Sequence, residues 1–327
     1  MKKRHLLYCF FLFLIHPIHQ TICLADQNIV IKSSDVHGEH YPTVEAVRYM
    51  GELLSNWTNG RITIKIFPNG KLGSEKDTLE QTRQGYIEMT RVSLGPVGKY
   101  AQGLNVFNLP FIFRSIEHMY NVVDGEIGTT LLLELEQAGL IGLCFMDSGA
   151  RSFYNSKRPI SSPEDMKGLK FRVMNNPIFI EMIQAFGAKA VSIPFSETYK
   201  AIQSGAVDGA ENNSPTVFTQ KHYEVTKYFS ITEHLIVPEI LVFSKIAWDY
   251  LPAVDKELIK KAAIECSIKE RELWKKKERI DLENLKEQGF IILDDIDKEP
   301  FIAATQAIRE KYGAGFKVIM NKIEKTK

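Results

Sequence analysis

Three polar side chains in the middle of the chain have the chemistry needed to hold a small organic acid. Arg151 lies in GARSFYN, Arg172 in GLKFRVMNN, and Asn212 in VDGAENN. A guanidinium is planar and permanently charged, so it can donate two parallel hydrogen bonds to one carboxylate. An amide both donates and accepts, which suits a carboxylate next to a hydroxyl. These residue types in this order favour an acid-binding site.

The local pattern around Arg172 is that of a β-strand. Apolar and basic residues alternate from Leu169 to Val173, which places Lys170 and Arg172 on one face and the apolar side chains on the other. For an arginine taken alone, a solvated strand face is the commoner explanation. The case for binding therefore depends on the motifs elsewhere in the chain.

Several long motifs occur in a recognisable order along the sequence. They are FPNGKLGSEKDTLEQTRQGYIEMTRVS, GARSFYNSKRPI, PEDMKGLKFRVMNN and PFSETYKAIQSGAVDGAENN. Together they resemble the substrate-binding proteins of TRAP (tripartite ATP-independent periplasmic) transporters, over essentially the whole chain from about Asn28. Several ordered motifs are far more specific than one short pattern.

The resemblance implies roles for individual residues. Arg172 is expected to be the principal carboxylate clamp, Arg151 to add a second charged contact, and Asn212 to bind beside them. An internal repeat, in which Arg91 and Glu211 each lie six residues beyond a matching glycine, separately predicts that Arg91 and the neighbouring Asn212 point into a cleft from opposite lobes. Phe195 is expected to cover the ligand, although a buried core position explains it nearly as well.

Two further residues are expected to contact sugar hydroxyls. Glu75 follows Ser74 at a helix start, where a serine cap and an acid in the first turn are sufficient structural reasons for both. The GSEKD motif nevertheless resembles the uronate binders, in which it lies beside the sugar, and carboxylates accept well from hydroxyls. His37, in the HGEHYP loop, shares that resemblance.

The predicted ligand is a hexuronate such as glucuronate or galacturonate. A C4-dicarboxylate or another sugar acid bound by the same family is the alternative, and a sugar-acid lyase or isomerase is the alternative from another class. The sequence contains no GxxxxGK, GxGxxG, GxSxG or HExxH motif, and His37 and His40 lack a Cys/His partner motif. No enzymatic activity, cofactor or metal is therefore predicted.

The N-terminal segment has the features of an export signal. Lys2, Lys3 and Arg4 precede a short apolar run and a small residue at Ala25, a pattern that predicts a signal peptide (1–25) cleaved after Ala25 and a periplasmic location. A lipoprotein site at Cys23 is disfavoured because Ile22 is bulky. Cleavage removes three of the 41 basic and none of the 40 acidic residues. The near-neutral balance predicts no nucleic-acid partner.

Two cysteines remain, Cys144 and Cys266, and neither belongs to a CxxC motif. Two buried, unpaired thiols are favoured, while a bridge stays open because sequence does not give their distance. The protein is predicted to be a monomer whose partners are its ligand and the membrane subunits of a TRAP transporter.

The elements that must position the site occur twice. Each half contains a strand–helix–strand–helix–strand pattern, and its last helix leads into its last strand through a glycine, an apolar pair and an acid. These junctions are Gly85-Tyr86-Ile87-Glu88 and Gly205-Ala206-Val207-Asp208. Strands alternating with helices predict an α/β protein that binds ligand beyond the carboxyl ends of its strands. A pattern almost free of glycine and proline predicts a long helix over 255–288.

The resemblance adds the architecture. It implies a two-lobed, periplasmic-binding-protein-like fold with two mixed sheets flanked by helices, a ligand cleft between them and a long bridging helix. Residues 26–148 plus 240–282 are assigned to lobe I, and 149–239 plus 283–327 to lobe II.

Overall fold

A computed structural model describes residues 28–327. The predicted signal peptide and its cleavage site after Ala25 lie outside the described residues. The first half of the chain forms β1 (Ile29–Ser34), α1 (Pro42–Trp57), β2 (Ile62–Phe67), α2 (Glu75–Arg83), β3 (Met89–Ser93), α3 (Leu94–Val97), α4 (Ile116–Val123), α5 (Glu126–Glu134) and β4 (Leu140–Met146).

The second half forms a similar series before the chain returns to the first sheet. It comprises β5 (Ala150–Asn155), β6 (Lys170–Val173), α6 (Pro177–Ala185), β7 (Lys189–Ser192), α7 (Thr198–Gln203), β8 (Gly209–Asn212), α8 (Ser214–Thr219) and β9 (Tyr228–Ile236). The remainder forms β10 (Glu239–Ser244), α9 (Lys245–Asp249), α10 (Ala253–Glu287), β11 (Ile291–Leu293), α11 (Glu299–Ala304), α12 (Gln306–Gly313) and α13 (Lys317–Lys325).

The strands form two mixed sheets with the same internal order. The first lobe has the order β2-β1-β3-β10-β4, and the second has β11-β9-β5-β8-β6-β7. In each sheet three parallel strands are followed by one antiparallel strand, β10 or β5, and then by a strand that runs parallel to the first three again, β4 or β9. Strands β1, β2 and β3 therefore correspond to β6, β7 and β8, and β11 adds a sixth strand to the second sheet. The internal echo in the sequence is thus a repeated topology, and the predicted fold class is confirmed.

The glycines of the echoed motif end a helix in each half. Gly85 follows α2 with φ +78°, and Gly205 follows α7 with φ +73°. This left-handed conformation is cheap only for glycine, and it turns the chain out of the helix toward the next strand. At the other end of α2, Ser74 and Asp77 form a reciprocal capping box that fixes where Glu75 begins the helix.

The chain crosses between the lobes at two short segments. One joins β4 to β5 through 147–149, and the other joins β9 to β10 through 237–238. The Ser148 hydroxyl donates to the Val237 carbonyl at 2.7 Å, so the two crossings lie side by side. Two adjacent short connections are the geometry of a hinge.

Helix α10 braces both lobes, as the resemblance implied. Its 35 residues correspond to roughly 50 Å at 1.5 Å per residue. It packs on α1 and β4 in the first lobe and on α8 in the second. Trp274 of α10 is buried against Tyr41, with ring centroids 5.7 Å apart. No helix within residues 28–327 combines the length and apolarity needed to cross a bilayer.

The C-terminal segment contacts both lobes. Strand β11 pairs with β9, and α12 packs on α6, all in the second lobe. The last helix, α13, instead packs on α5, and the Ile323 carbonyl lies 2.8 Å from His118 Nε2 of α4. The lobe boundaries assigned from sequence stay a prediction. Residues 283–327, which that prediction places in lobe II, contact lobe I as well.

Both cysteines are buried in the apolar core between the first sheet and α10, and both are free thiols. This confirms the preference for unpaired cysteines. Burial raises the pKa of both thiols.

Candidate functional site

A cavity lies between the two lobes. It is bounded by residues at or just beyond the carboxyl ends of β1, β3, β6 and β8, where two α/β sheets facing each other are expected to hold a ligand. Six of the seven predicted site residues line it: His37 and Glu75 from the first lobe, and Arg151, Arg172, Phe195 and Asn212 from the second.

The lobes are closed around this cavity. Tyr41 of the first lobe lies 2.9 Å from Thr216 of the second through their hydroxyls. The Asn176 amide donates across the cleft to the Gly95 carbonyl at 3.0 Å. The ring of His37 meets the ring of Phe195 edge-on at 4.9 Å. These contacts enclose the cavity on several sides.

Arg172 is a buried arginine whose two Nη groups have no hydrogen-bond partner among the described residues. It lies on β6, is 3 % exposed, and donates only its Nε–H, to the Ile193 carbonyl at 2.8 Å. Neither Nη atom has a hydrogen-bond partner among the described residues, and the side chain lines the cavity. Burial lowers its pKa from the usual value, which reflects the cost of holding this charge without a counter-ion.

Arg151 lies nearby with its charge already compensated. Its Nε and Nη2 donate to the two carboxylate oxygens of Glu211, and Nη2 also donates to the Glu211 carbonyl at 2.9 Å. Its Nη1 donates to Asn212 Oδ1 at 3.0 Å. Of the five N–H groups that a guanidinium carries, this leaves one on Nη1.

The side-chain amide of Asn212 is hydrogen-bonded within the protein through its oxygen. Its Oδ1 accepts from Arg151 and from the backbone N–H of Asn213 at 3.0 Å, so the amide oxygen is directed into the protein. Its Nδ2 group has no partner among residues 28–327. Asn212 therefore presents a hydrogen-bond donor to the cavity. From the sequence alone, its amide could have served as a donor or as an acceptor.

Arg91 lies behind the cavity rather than in its lining. It is 1 % exposed and forms ion pairs with Asp35, Glu75 and Glu239. Burial alone would lower its pKa, but Asp35 and Glu239 raise that pKa well above the usual value. Its guanidinium does not point into the cavity as expected, because three carboxylates from the same lobe surround it. A direct ligand contact by Arg91 stays a prediction that this geometry does not favour.

Two acids face the cavity from the first lobe, and the sequence identified only one. Glu239 begins β10, a strand whose other residues are apolar or small, and its side chain lines the cavity with Glu75. Burial and the nearby Glu75 raise the pKa of Glu239, and Arg91 opposes that shift. A single acid at the start of the apolar run EILVFS was the signal available in the sequence.

His37 is held as a neutral ring on the same side. It stacks on Tyr41 with centroids 3.7 Å apart, and its Nδ1 is buried without a partner among the described residues. Burial, reinforced by Arg91, lowers the pKa of His37 to about 3. A neutral imidazole can donate or accept at its two nitrogens, as a sugar hydroxyl also can. His40, in contrast, is exposed and contacts Glu45.

The cavity is thus electrically polarised. Its second-lobe wall carries two arginines and an amide donor, and its first-lobe wall carries two carboxyls and a neutral histidine. Within residues 28–327 no cluster of three or more His, Cys, Asp or Glu side chains is arranged to hold a metal ion. The arrangement can bind an anion at one end and hydroxyl groups at the other.

The sequence profile of the bacterial extracellular solute-binding proteins, family 7 (DctP), matches residues 33–314. The chain belongs to this family. A solute-binding protein of Chromohalobacter salexigens is 37% identical over 278 residues, covering 85% of this chain and 83% of that one.

Solved structures of TRAP periplasmic solute-binding proteins have the same fold as this family 7 chain. One from Pseudomonas putida F1, with bound D-glucuronate, superimposes with a TM-score of 0.89 at 43% identity and covers 91% of this chain and 97% of its own. One from a Bradyrhizobium species, with bound α/β-D-galacturonate, gives 0.89 at 40% identity, covering 90% and 99%. The predicted family and two-lobed architecture are confirmed.

Proposed function

We propose that this family 7 protein captures a hexuronate in the periplasm, closes on it, and delivers it to the membrane subunits of a TRAP transporter. The observation that carries the proposal is the free guanidinium fork of Arg172, buried and directed into a cavity whose opposite wall is acidic. The uronates bound by the related proteins from P. putida and Bradyrhizobium support the same ligand class.

The carboxylate of the ligand would bind at the second lobe. Arg172 can donate two parallel hydrogen bonds, and the remaining Nη1–H of Arg151 and the Asn212 amide can each add one. A carboxylate there would neutralise Arg172, whose charge is otherwise buried without a partner. This lobe therefore selects for an acid.

The hydroxyls would bind at the first lobe. Glu75, Glu239 and the neutral His37 suit hydroxyl groups. Carboxylates accept hydrogen bonds, and a neutral imidazole can both donate and accept them. A second carboxylate in the same place would meet two acids. Like charges 4 Å apart repel by about 4 kcal/mol at an effective dielectric constant of 20. The polarity favours a sugar acid over a C4-dicarboxylate.

We propose that no chemistry is done on the ligand, in keeping with a family of binding proteins. Glu239 is the acid most similar to a general base, but its two oxygens accept from Arg91 and Ser93. Incubating the protein with uronates and following the mixture by NMR tests this point. Saturable binding with unchanged ligand is expected, and conversion to product would favour the lyase or isomerase alternative.

A ligand panel tests the proposed specificity. Because a ligand that binds only the native state stabilises it by about 2.7 kcal/mol at a hundredfold excess over its Kd, thermal shifts rank ligands directly. We expect the largest shift from glucuronate or galacturonate, a small one from succinate, and none from neutral glucose. A larger shift from succinate would contradict the uronate assignment but not the clamp, whereas a larger shift from glucose would contradict both.

Lobe closure is a second expected result. We propose that the lobes, divided at 148/149 and 239/240, move about the two crossing segments and that the ligand stabilises the closed state by contacting both walls. Small-angle scattering should give a smaller radius of gyration with saturating glucuronate than without it. Superimposable profiles would contradict closure while leaving binding intact.

The remaining assignments are also proposals. The precursor would be exported and cleaved after Ala25, as the sequence predicts. The mature protein would act as a monomer. Mass spectrometry of protein from the periplasm would locate the cleavage site, and light scattering would give the oligomeric state.

A further inference from the structure

The acidic wall of the cavity depends on one buried arginine. Arg91 Nη1 donates to Glu75 at 2.9 Å and to Glu239 at 2.6 Å, so a single nitrogen joins the two acids. Glu75 lies on α2 and Glu239 on β10, two elements that are far apart in the sequence and meet only in the folded protein. Without a shared donor the two carboxyls would repel each other.

A second bridge lies on the same face of the same strand. Ser93, two residues beyond Arg91 on β3, lies with its hydroxyl 3.3 Å from Glu75 and 3.0 Å from Glu239. Its backbone N–H also donates to Glu75 at 3.0 Å. The pair is thus fixed at two points, and Ser93 but not Arg91 lines the cavity.

Arg91 is itself held from behind. Its Nε donates to Asp35 Oδ2 at 3.0 Å, and Nη2 donates to Asp35 Oδ1. Asp35 also accepts from the Thr43 hydroxyl at 2.7 Å and from the backbone N–H of His37 at 2.8 Å. Asp35 thereby links the arginine to the loop that carries His37.

We infer that Arg91 is a positioning residue that holds Glu75 and Glu239 side by side and so makes the site select one carboxylate with neighbouring hydroxyls against a dicarboxylate. The inference rests on the proposed function and concerns how its selectivity arises. The cluster formed by Arg91, Asp35, Glu75 and Glu239 contains three acids and one base, so its negative charge exceeds what Arg91 compensates. Two adjacent carboxyls can accept from two neighbouring hydroxyls, and they repel a second carboxylate.

The test is a double-mutant cycle read as selectivity. The measured quantity is the ratio of the Kd for succinate to the Kd for glucuronate, by calorimetry, in wild type, Arg91→Lys, Glu239→Gln and the double variant. Lysine keeps the charge but lacks the planar fork that reaches Asp35 and both acids. Glutamine keeps the shape of Glu239 and removes its charge.

We expect each single variant to lower the ratio at least about tenfold, with weaker glucuronate binding and unchanged or stronger succinate binding. The double variant should show a ratio close to that of Glu239→Gln alone, because Arg91 acts through the acids. A purely structural role would weaken both ligands equally and leave the ratio constant. Arg48→Lys, in an exposed ion pair of the same lobe, is the matched control and should leave the ratio unchanged.

Separate outcomes distinguish this inference from the function on which it rests. A wild-type protein that prefers succinate overturns the proposed function and the inference with it. A wild type that prefers glucuronate, with an unchanged ratio in folded Arg91→Lys, overturns the inference alone. If Arg91→Lys does not fold, Asp35→Asn replaces it in the cycle, because Asp35 contacts Arg91 without lining the cavity. The same criterion then applies.

Discussion

Arg172→Ala is expected to weaken glucuronate binding by about 10- to 100-fold. The substitution removes the only buried guanidinium in the cavity whose fork is unpaired among the described residues. Losing a hydrogen bond to a charged group costs roughly 1.5–3 kcal/mol, and about 1.4 kcal/mol corresponds to a factor of ten. Calorimetry gives the affinity, and circular dichroism shows whether the variant is folded.

Two variants make this result specific to Arg172. Arg172→Lys keeps a charge but loses the bidentate geometry, so its affinity should fall between those of wild type and Arg172→Ala. Arg48→Ala removes an exposed arginine and should leave the affinity within about twofold, since exposed ion pairs contribute roughly 0–1 kcal/mol. A folded Arg172→Ala protein with wild-type affinity would exclude Arg172 as the clamp.

Glu211→Ala is expected to cause the largest loss of stability. Glu211 and Arg151 are both almost fully buried and make a bidentate ion pair. Removing one partner of such a pair leaves a buried charge uncompensated, which costs about 3–5 kcal/mol of the free energy of unfolding. His234, 3.9 Å from Glu211, cannot replace the lost acid, because an imidazole carries no negative charge. Burial, with a further contribution from Arg151, lowers the pKa of His234 far below the usual value, so this ring stays neutral.

Urea denaturation without ligand measures this change through the unfolding midpoint. Glu39→Ala provides the comparison, because Glu39 forms an exposed ion pair with Arg48. That pair should contribute no more than about 1 kcal/mol. Equal losses in the two variants would show that Glu211 does not compensate a buried charge. Added glucuronate should restore part of the stability of Glu211→Ala, since ligand binds only the folded state.

Much of the fold could be predicted from the spacing of apolar residues and from the glycines and prolines that end helices and strands. The predicted helix at 255–288 is α10, Ala253–Glu287, and the predicted strand at 169–173 is β6, Lys170–Val173. Such elements follow from apolar spacing and from glycines that need a left-handed backbone, which are local properties. The packing of α13 against α5 had no such local signal, because it depends on where the last helix meets the first lobe.

The chemistry of the site was also partly visible. Arg172, Arg151, Asn212, Glu75, Phe195 and His37 were selected from motifs, and all line one cavity. Glu239 was missed because one acid before an apolar strand resembles an ordinary strand end. Its importance arises only when β10 inserts beside β3 and brings it to Arg91, 148 residues away in sequence.

The sequence by itself determined that arginines and acids occur at strand ends, and therefore that an organic acid is the natural ligand class. The tertiary structure decided which arginine is available to the ligand. Arg91, Arg151 and Arg172 have the same chemistry, and all three are buried. A buried charge must find a counter-charge, and Arg91 and Arg151 obtain theirs from residues 56 and 60 positions away, across neighbouring strands. Arg172 has no hydrogen-bonded acid within the described chain, and we therefore propose the ligand carboxylate as its partner.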